Sequence, residues 1–133
     1  SRRIGVLHLP DALIAAIRAA PCIRIEATTP ARVEFLLRDY DYFLANPGWL
    51  AEKLQHLKGL QSEETLARWQ ALIDAGDFRA LVGELLEKHY DPLYQRSQSK
   101  NYADYGGAAN HATDDLSDAG IRRLAAEIVA LTP

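Results

Sequence analysis

The sequence predicts a mixed α/β fold dominated by helices, with a small parallel sheet of about two strands and a helical insertion over residues 46–100. Three observations carry that expectation. Apolar residues recur at helical spacing along most of the chain, Cys22–Glu26 alternates like a strand, and that strand lies between two helical segments. The 133 residues suit one domain over residues 1–133. At this length folding buries roughly two-thirds of the unfolded surface, enough for a core without disulfides or a structural metal.

The opening Ser1-Arg2-Arg3-Ile4-Gly5 has no helical period. Pro10 suits the first turn of a helix carrying Leu13, Ile14 and Ile17, and Pro21 stops it near Ala20. Thr29 and Pro30 supply an N-cap and a first-turn proline to a helix with Val33, Leu36, Leu37, Tyr40, Phe43 and Leu44 at its buried spacing. Asn46-Pro47-Gly48 interrupts that pattern and starts another helix, with Leu50, Leu54 and Leu57, which Gly59 ends.

Ser62 caps the next helix, Glu63 and Glu64 favour its positive end, and Leu66, Trp69 and Ile73 form its apolar face up to Gly76. Asp77 caps a helix with Leu81, Leu85 and Leu86, and Pro92 breaks or restarts it after His89-Tyr90-Asp91. A polar stretch from Gln95 to Lys100 leads into Tyr102 and Tyr105. Residues 106–111 read as either a loop or a weak strand, because Gly and Asn oppose strands. The last helix is clearer, with a Leu116 and Ile121 staple around Ser117 and a stripe of Ile121, Leu124, Ile128 and Leu131.

Charge and composition narrow the function classes. Residues 1–60 carry a net charge of +2 and residues 61–133 a net −5, so RNA binding by this chain is expected to be local or shared with other sequence. The absence of methionine points to an excerpt of a longer protein. A single cysteine, Cys22, fits a reducing, cytoplasmic setting and a buried structural role. No apolar run approaches the ~20 residues that span a bilayer, so no membrane association is expected.

No Walker A loop, Gly-rich dinucleotide fingerprint, HExxH, CxxC or nucleophile elbow occurs, and His8, His56, His89 and His111 lack metal-ligand spacing. No catalytic residue and no metal site are therefore assigned. Trp49 and Trp69 read as core or interface residues. Arg2 and Arg3 beside Ser1 suit a phosphate by their guanidinium geometry, although terminal arginines are more often simply solvated.

The segment His89-Tyr90-Asp91-Pro92-Leu93-Tyr94-Gln95-Arg96 concentrates an imidazole, a carboxylate, two tyrosines and an arginine around a proline. Such side chains stack on bases and pair with phosphates. A structural role fits the segment better when it is read by itself, with Asp91 as an N-cap, the tyrosines on the core and His89 at a helix end.

At these residues the chain resembles the C-terminal part of the bacterial tRNA 2-selenouridine synthase family. The first match is Ser1-Arg2-Arg3-Ile4-Gly5, then Leu9-Pro10, the following helix and strand, and the Arg32-containing helix ending at Tyr40. The second is Leu85-Leu86-Glu87-Lys88-His89-Tyr90-Asp91-Pro92-Leu93-Tyr94, and the third a strand-and-helix pattern at about residues 106–131. The resemblance implies the end of a P-loop-type parallel sheet and a parent enzyme that converts wobble 2-thiouridine in tRNA to 2-selenouridine, by way of S-geranyl-2-thiouridine. Its small substrates would be selenophosphate and geranyl diphosphate, with no cofactor held by this chain.

The same resemblance implies preceding rhodanese-like and P-loop segments as partners, and Cys22 does not match the rhodanese cysteine. It carries substrate-binding roles to Ser1, Arg2, Arg3 and Gly5 near a nucleotide-like or diphosphate site, and to His89, Tyr90, Asp91, Tyr94 and Arg96 on a surface. The chain alone is then expected to be inactive in selenation and geranylation, and a partial sheet leaves an edge open to homodimerisation. The competing reading is a non-catalytic helical adaptor that binds RNA or protein through the Tyr90 to Tyr105 surface.

Overall fold

The computed structural model describes residues 3–131. A small antiparallel hairpin, β1 (Arg3–Ile4) and β2 (Leu7–His8), opens the chain, and its turn depends on Gly5, which adopts a φ of 59°. Helix α1 (Asp11–Ala19) follows Pro10 and ends at an extended Ala20, as Pro21 requires. Strand β3 (Ile23–Ala27) then pairs in parallel with β4 (Ala109–Thr113), in a register that runs from Ile23 opposite Ala109 to Ala27 opposite Thr113. The ladder settles the character of the segment after Gly107, because pairing with β3 satisfies backbone groups that a loop would leave to water. Beyond the strands, the Thr28 amide still donates to the Thr113 carbonyl at 3.0 Å.

Helix α2 (Thr29–Asp39) is capped by Thr28, one position earlier than expected, whose hydroxyl accepts from the Ala31 amide at 3.4 Å. The single helix expected to reach Leu44 is split. Tyr40 leaves helical geometry at φ −120° and ψ 30°, and α3 (Asp41–Leu44) restarts with an aspartate at its positive end. Helix α4 (Pro47–Gln55) stops before Gly59, because its last turn tightens into three-residue bonds such as His56 to Lys53 and Leu57 to Leu54.

Helix α5 (Glu63–Asp74) and helix α6 (Phe78–Leu85) start where their caps indicate. The Ser62 hydroxyl accepts from the Thr65 amide at 3.1 Å, and the Asp77 carboxylate accepts from the Ala80 amide at 3.1 Å. The core lies among these helices rather than on the sheet: Leu54, Trp69, Ile73 and Leu81 form one buried cluster, with Leu50, Leu57, Leu66, Phe78 and Leu85 packed against it. Trp69 is fully buried, and its indole N–H donates to Glu84 Oε2 at 3.2 Å. Trp49 by contrast is exposed, with Lys53 Nζ 5.4 Å from its ring centre. Helix α2 joins this layer by crossing α6, where Val33 is buried and faces Gly83.

After α6 the chain does not break at Pro92. One turn of π-helix, Leu86–Tyr90, carries it directly into α7 (Asp91–Asn101), with the Asp91 amide bonded to the Leu86 carbonyl. The polar stretch Gln95–Lys100 is therefore helical, and the low apolar content of α7 leaves it without a buried residue. Helix α8 (Asp118–Leu131) closes the fold, and the Ser117 hydroxyl accepts from the Gly120 amide at 3.2 Å.

The sheet itself is thinly covered. Ile23 and Ile25 on β3 are 46% and 56% exposed, and Leu13 and Ile17 on α1 are also exposed. Cys22, expected to be buried, is half-buried, with its thiol 3.7 Å from the Ala20 carbonyl oxygen. No helix among the described residues is long and apolar enough to cross a membrane.

Candidate functional site

Proline 92 organises the site by what it lacks. In an uninterrupted α-helix the amide of residue 92 would bond to the Lys88 carbonyl, but proline has no N–H and its ring crowds that oxygen. The wider π turn makes room for the ring, and Gln61, just ahead of the α5 cap, donates its amide nitrogen to the Lys88 carbonyl at 3.2 Å. Single π turns inside helices recur at functional positions.

The same Gln61 nitrogen lies 3.4 Å from Nδ1 of His89, which is buried at 9% exposure in the π turn. The imidazole stands edge-on to Tyr90, with ring centres 5.0 Å apart and planes at 77°. Tyr90 in turn stacks on Tyr94 one helical turn later, at 6.4 Å and 27°. Both phenol rings face outward at 45% and 60% exposure. His89 is thus the inner member of an aromatic series whose outer two rings are open to solvent.

Asp91 anchors this series. It is the first residue of α7, with helical dihedrals, and not the N-cap expected of it, since the helix already runs in from the π turn. Its carboxylate instead accepts two hydrogen bonds from Arg32 in the first turn of α2, at 2.9 Å from Nη1 and 2.5 Å from Nη2. The bond to Asp91 is the leading cause that raises the Arg32 guanidinium above its ordinary value, so the cation is held firmly charged. Its half-buried position gives a geometrically strict, two-bond pair more weight than a surface pair.

The other residues singled out from sequence do not all converge here. Ser1 and Arg2 lie outside the described residues, as does the Arg3 side chain. Gly5 sits in the turn of the β1–β2 hairpin, on a different element from the π turn and α7. Arg96 is exposed on α7, two residues beyond Tyr94 and therefore roughly 160° round the helix from it. The structure brings together His89, Tyr90, Asp91 and Tyr94.

It also adds Arg32 and Gln61, which composition alone did not single out as site residues. Each left a signal. A cation in the first turn of a helix opposes the helix dipole and needs a partner, and a proline four residues after Lys88 leaves a carbonyl that needs a donor.

Away from these residues, a concavity of about 250 Å³ lies between α1 and the end of α7, lined by Leu9, Ile14 and Ile17. Its cation, Arg18, is held by the Asn101 side-chain oxygen at 2.7 Å. Among the described residues no group of three or more His, Cys, Asp or Glu side chains is placed to hold a metal ion.

The π-turn site can therefore offer flat aromatic faces on a rigid support. The chain is similar to a tRNA 2-selenouridine synthase of Bordetella bronchiseptica, with 31% identity over 120 aligned residues that take in 71% of the chain. It spans 33% of that relative's length. No family model matches the chain, and no solved structure matches it.

Proposed function

We propose that this chain is part of a tRNA-modifying transferase of the 2-selenouridine synthase type, in which it contributes an RNA-contact surface built on the π turn and the start of α7. The observation that carries the reading is the outward-facing stack of Tyr90 and Tyr94 on a support fixed by Arg32 and Asp91. Similarity to a relative named for a tRNA product supports it from a second direction. Stacking a base on an aromatic side chain contributes about 1–3 kcal/mol and needs no phosphate contact. That suits a region in which Arg32 and Asp91 already neutralise each other.

In this reading selenophosphate and geranyl diphosphate are the small substrates of the parent enzyme, and rhodanese-like and P-loop segments supply the chemistry. The bare parallel pair β3 and β4 supports such a partnership, because parallel sheets are ordinarily covered on both faces and Ile23 and Ile25 here are not. The chain by itself is then expected to turn over no thiolated tRNA.

The test is equilibrium binding of an anticodon stem-loop RNA with 2-thiouridine at the wobble position. Tyr90→Ala and Tyr94→Ala are each expected to weaken binding about tenfold without changing the melting temperature, and Arg96→Ala to weaken it less. The affinity should also fall only shallowly with salt, since few phosphates are neutralised. Unchanged affinity in both tyrosine variants would exclude the surface as an RNA contact.

A further inference from the structure

The hydrogen bonds of Gln61 determine more than the shape of the π turn. A backbone carbonyl can only accept, so the atom 3.2 Å from the Lys88 oxygen must be the Gln61 amide nitrogen and not its oxygen. That nitrogen carries two hydrogens and no acceptor capacity. Its second neighbour is His89 Nδ1 at 3.4 Å, which must therefore accept. A neutral imidazole with Nδ1 as acceptor carries its proton on Nε2.

The far nitrogen is then a donor with a defined direction. Every buried side-chain nitrogen and oxygen among the described residues has a partner, and no described group bonds His89 Nε2, so this nitrogen reaches solvent. It does so beside Tyr90, whose ring packs edge to face with the imidazole and continues into Tyr94.

We propose that Gln61 is a positioning residue for the aromatic surface: by bonding both the Lys88 carbonyl and His89 Nδ1, it holds His89 as the Nε2–H tautomer, which donates to an acceptor on the edge of an RNA base stacked on Tyr90 and Tyr94. The second half of this statement rests on the RNA reading above, and the first half does not. Proline 92 is what couples them, since the carbonyl it leaves free fixes the orientation of the glutamine amide.

The experiment is a long-range proton–nitrogen correlation spectrum of the full chain, which identifies which imidazole nitrogen carries hydrogen. Wild-type protein is expected to show His89 with Nε2 protonated and Nδ1 bare. Gln61→Met, similar in size but without a donor, is expected to give a mixture of tautomers, and Gln61→Glu to move the proton to Nδ1, where a carboxylate oxygen can accept it. An Nδ1–H imidazole in the wild type, or an unchanged pattern in whichever of the two variants folds, overturns the role of Gln61.

Titration with the thiolated anticodon stem-loop tests the donor. The Nε2–H signal is expected to shift on binding, and His89→Phe to weaken affinity about tenfold while Gln61→Met weakens it about threefold, the range of one lost or misdirected hydrogen bond. Binding that leaves the Nε2–H signal unmoved overturns the donor role. Absence of binding by the wild type overturns the RNA reading, while the tautomer spectrum still decides the role of Gln61.

Discussion

Arg32 and Asp91, 59 positions apart in the chain, meet in a two-bond ion pair that joins the first turn of α2 to the first residue of α7. The pair ties the helix that follows the parallel strand β3 to the segment that carries the aromatic surface. It also compensates a cation in the first turn of α2, at the positive end of that helix. Breaking it should therefore loosen the support of Tyr90 and Tyr94 as well as lower stability.

Asp91→Leu is expected to destabilise the fold by about 1–2 kcal/mol, between the values for surface and buried pairs, because it strands a half-buried guanidinium. The double variant Arg32→Leu with Asp91→Leu should recover part of that loss. Urea unfolding of the two single variants and the double variant measures the coupling. Additive losses would show that the pair contributes no interaction of its own.

Leu81 is 1% exposed at the centre of the cluster with Leu54, Trp69 and Ile73. Leu81→Ala removes atoms that neighbouring helices cannot fully replace, at a cost of about 3 kcal/mol. Thermal unfolding followed by circular dichroism should show this as one of the largest losses among single apolar truncations. Truncation of exposed Val129 on α8 should cost little by comparison.

Gly120 in α8 is buried against Asp115, and a Cβ placed there would overlap the Asp115 backbone oxygen and carboxyl carbon. Backbone cannot yield as a flexible side chain can. Gly120→Ala is expected to destabilise by about 2 kcal/mol despite the better helix propensity of alanine. A neutral or stabilising effect in denaturant unfolding would mean that the Asp115 turn adapts.

The same turn governs behaviour in acid. The Ser117 hydroxyl and amide, followed by Arg123, hold the Asp115 carboxyl down to about 2, below its ordinary 3.8. A carboxyl lowered in the folded state contributes stability that is present above its unfolded value and lost as pH falls through the folded one. Melting temperature should therefore fall between pH 4 and 2, and Asp115→Asn should flatten that slope. Glu84 acts in the same direction: burial pushes it up, but bonds from Lys88 and Arg68 outweigh burial and hold it below the usual carboxylate range.

Local chemistry was the legible part of this sequence. Ser62 and Asp77 cap the helices they announce, Pro21 ends α1, and the alternation around Ile23 and Ile25 marks the strand. What the sequence left open depended on distant partners. Residues 109–113 become a strand only because β3 lies beside them. Tyr40 splits a helix whose apolar spacing continues through it. At the site, His89, Tyr90, Asp91 and Tyr94 were visible as an unusual composition, yet their arrangement depends on Arg32 and Gln61, and neither is near them in the chain. Tyr94 and Arg96 look like neighbours in sequence, but the helical period separates them.

RNA is expected to meet this protein at the π turn and the start of α7. Chemical-shift mapping of the full chain during titration with the thiolated anticodon stem-loop tests it most directly. The largest changes are expected at His89, Tyr90 and Tyr94, with smaller ones at Gln61 and little at β3 or α5. Changes concentrated on the β1–β2 hairpin or the α1 groove, with the π turn silent, would contradict it.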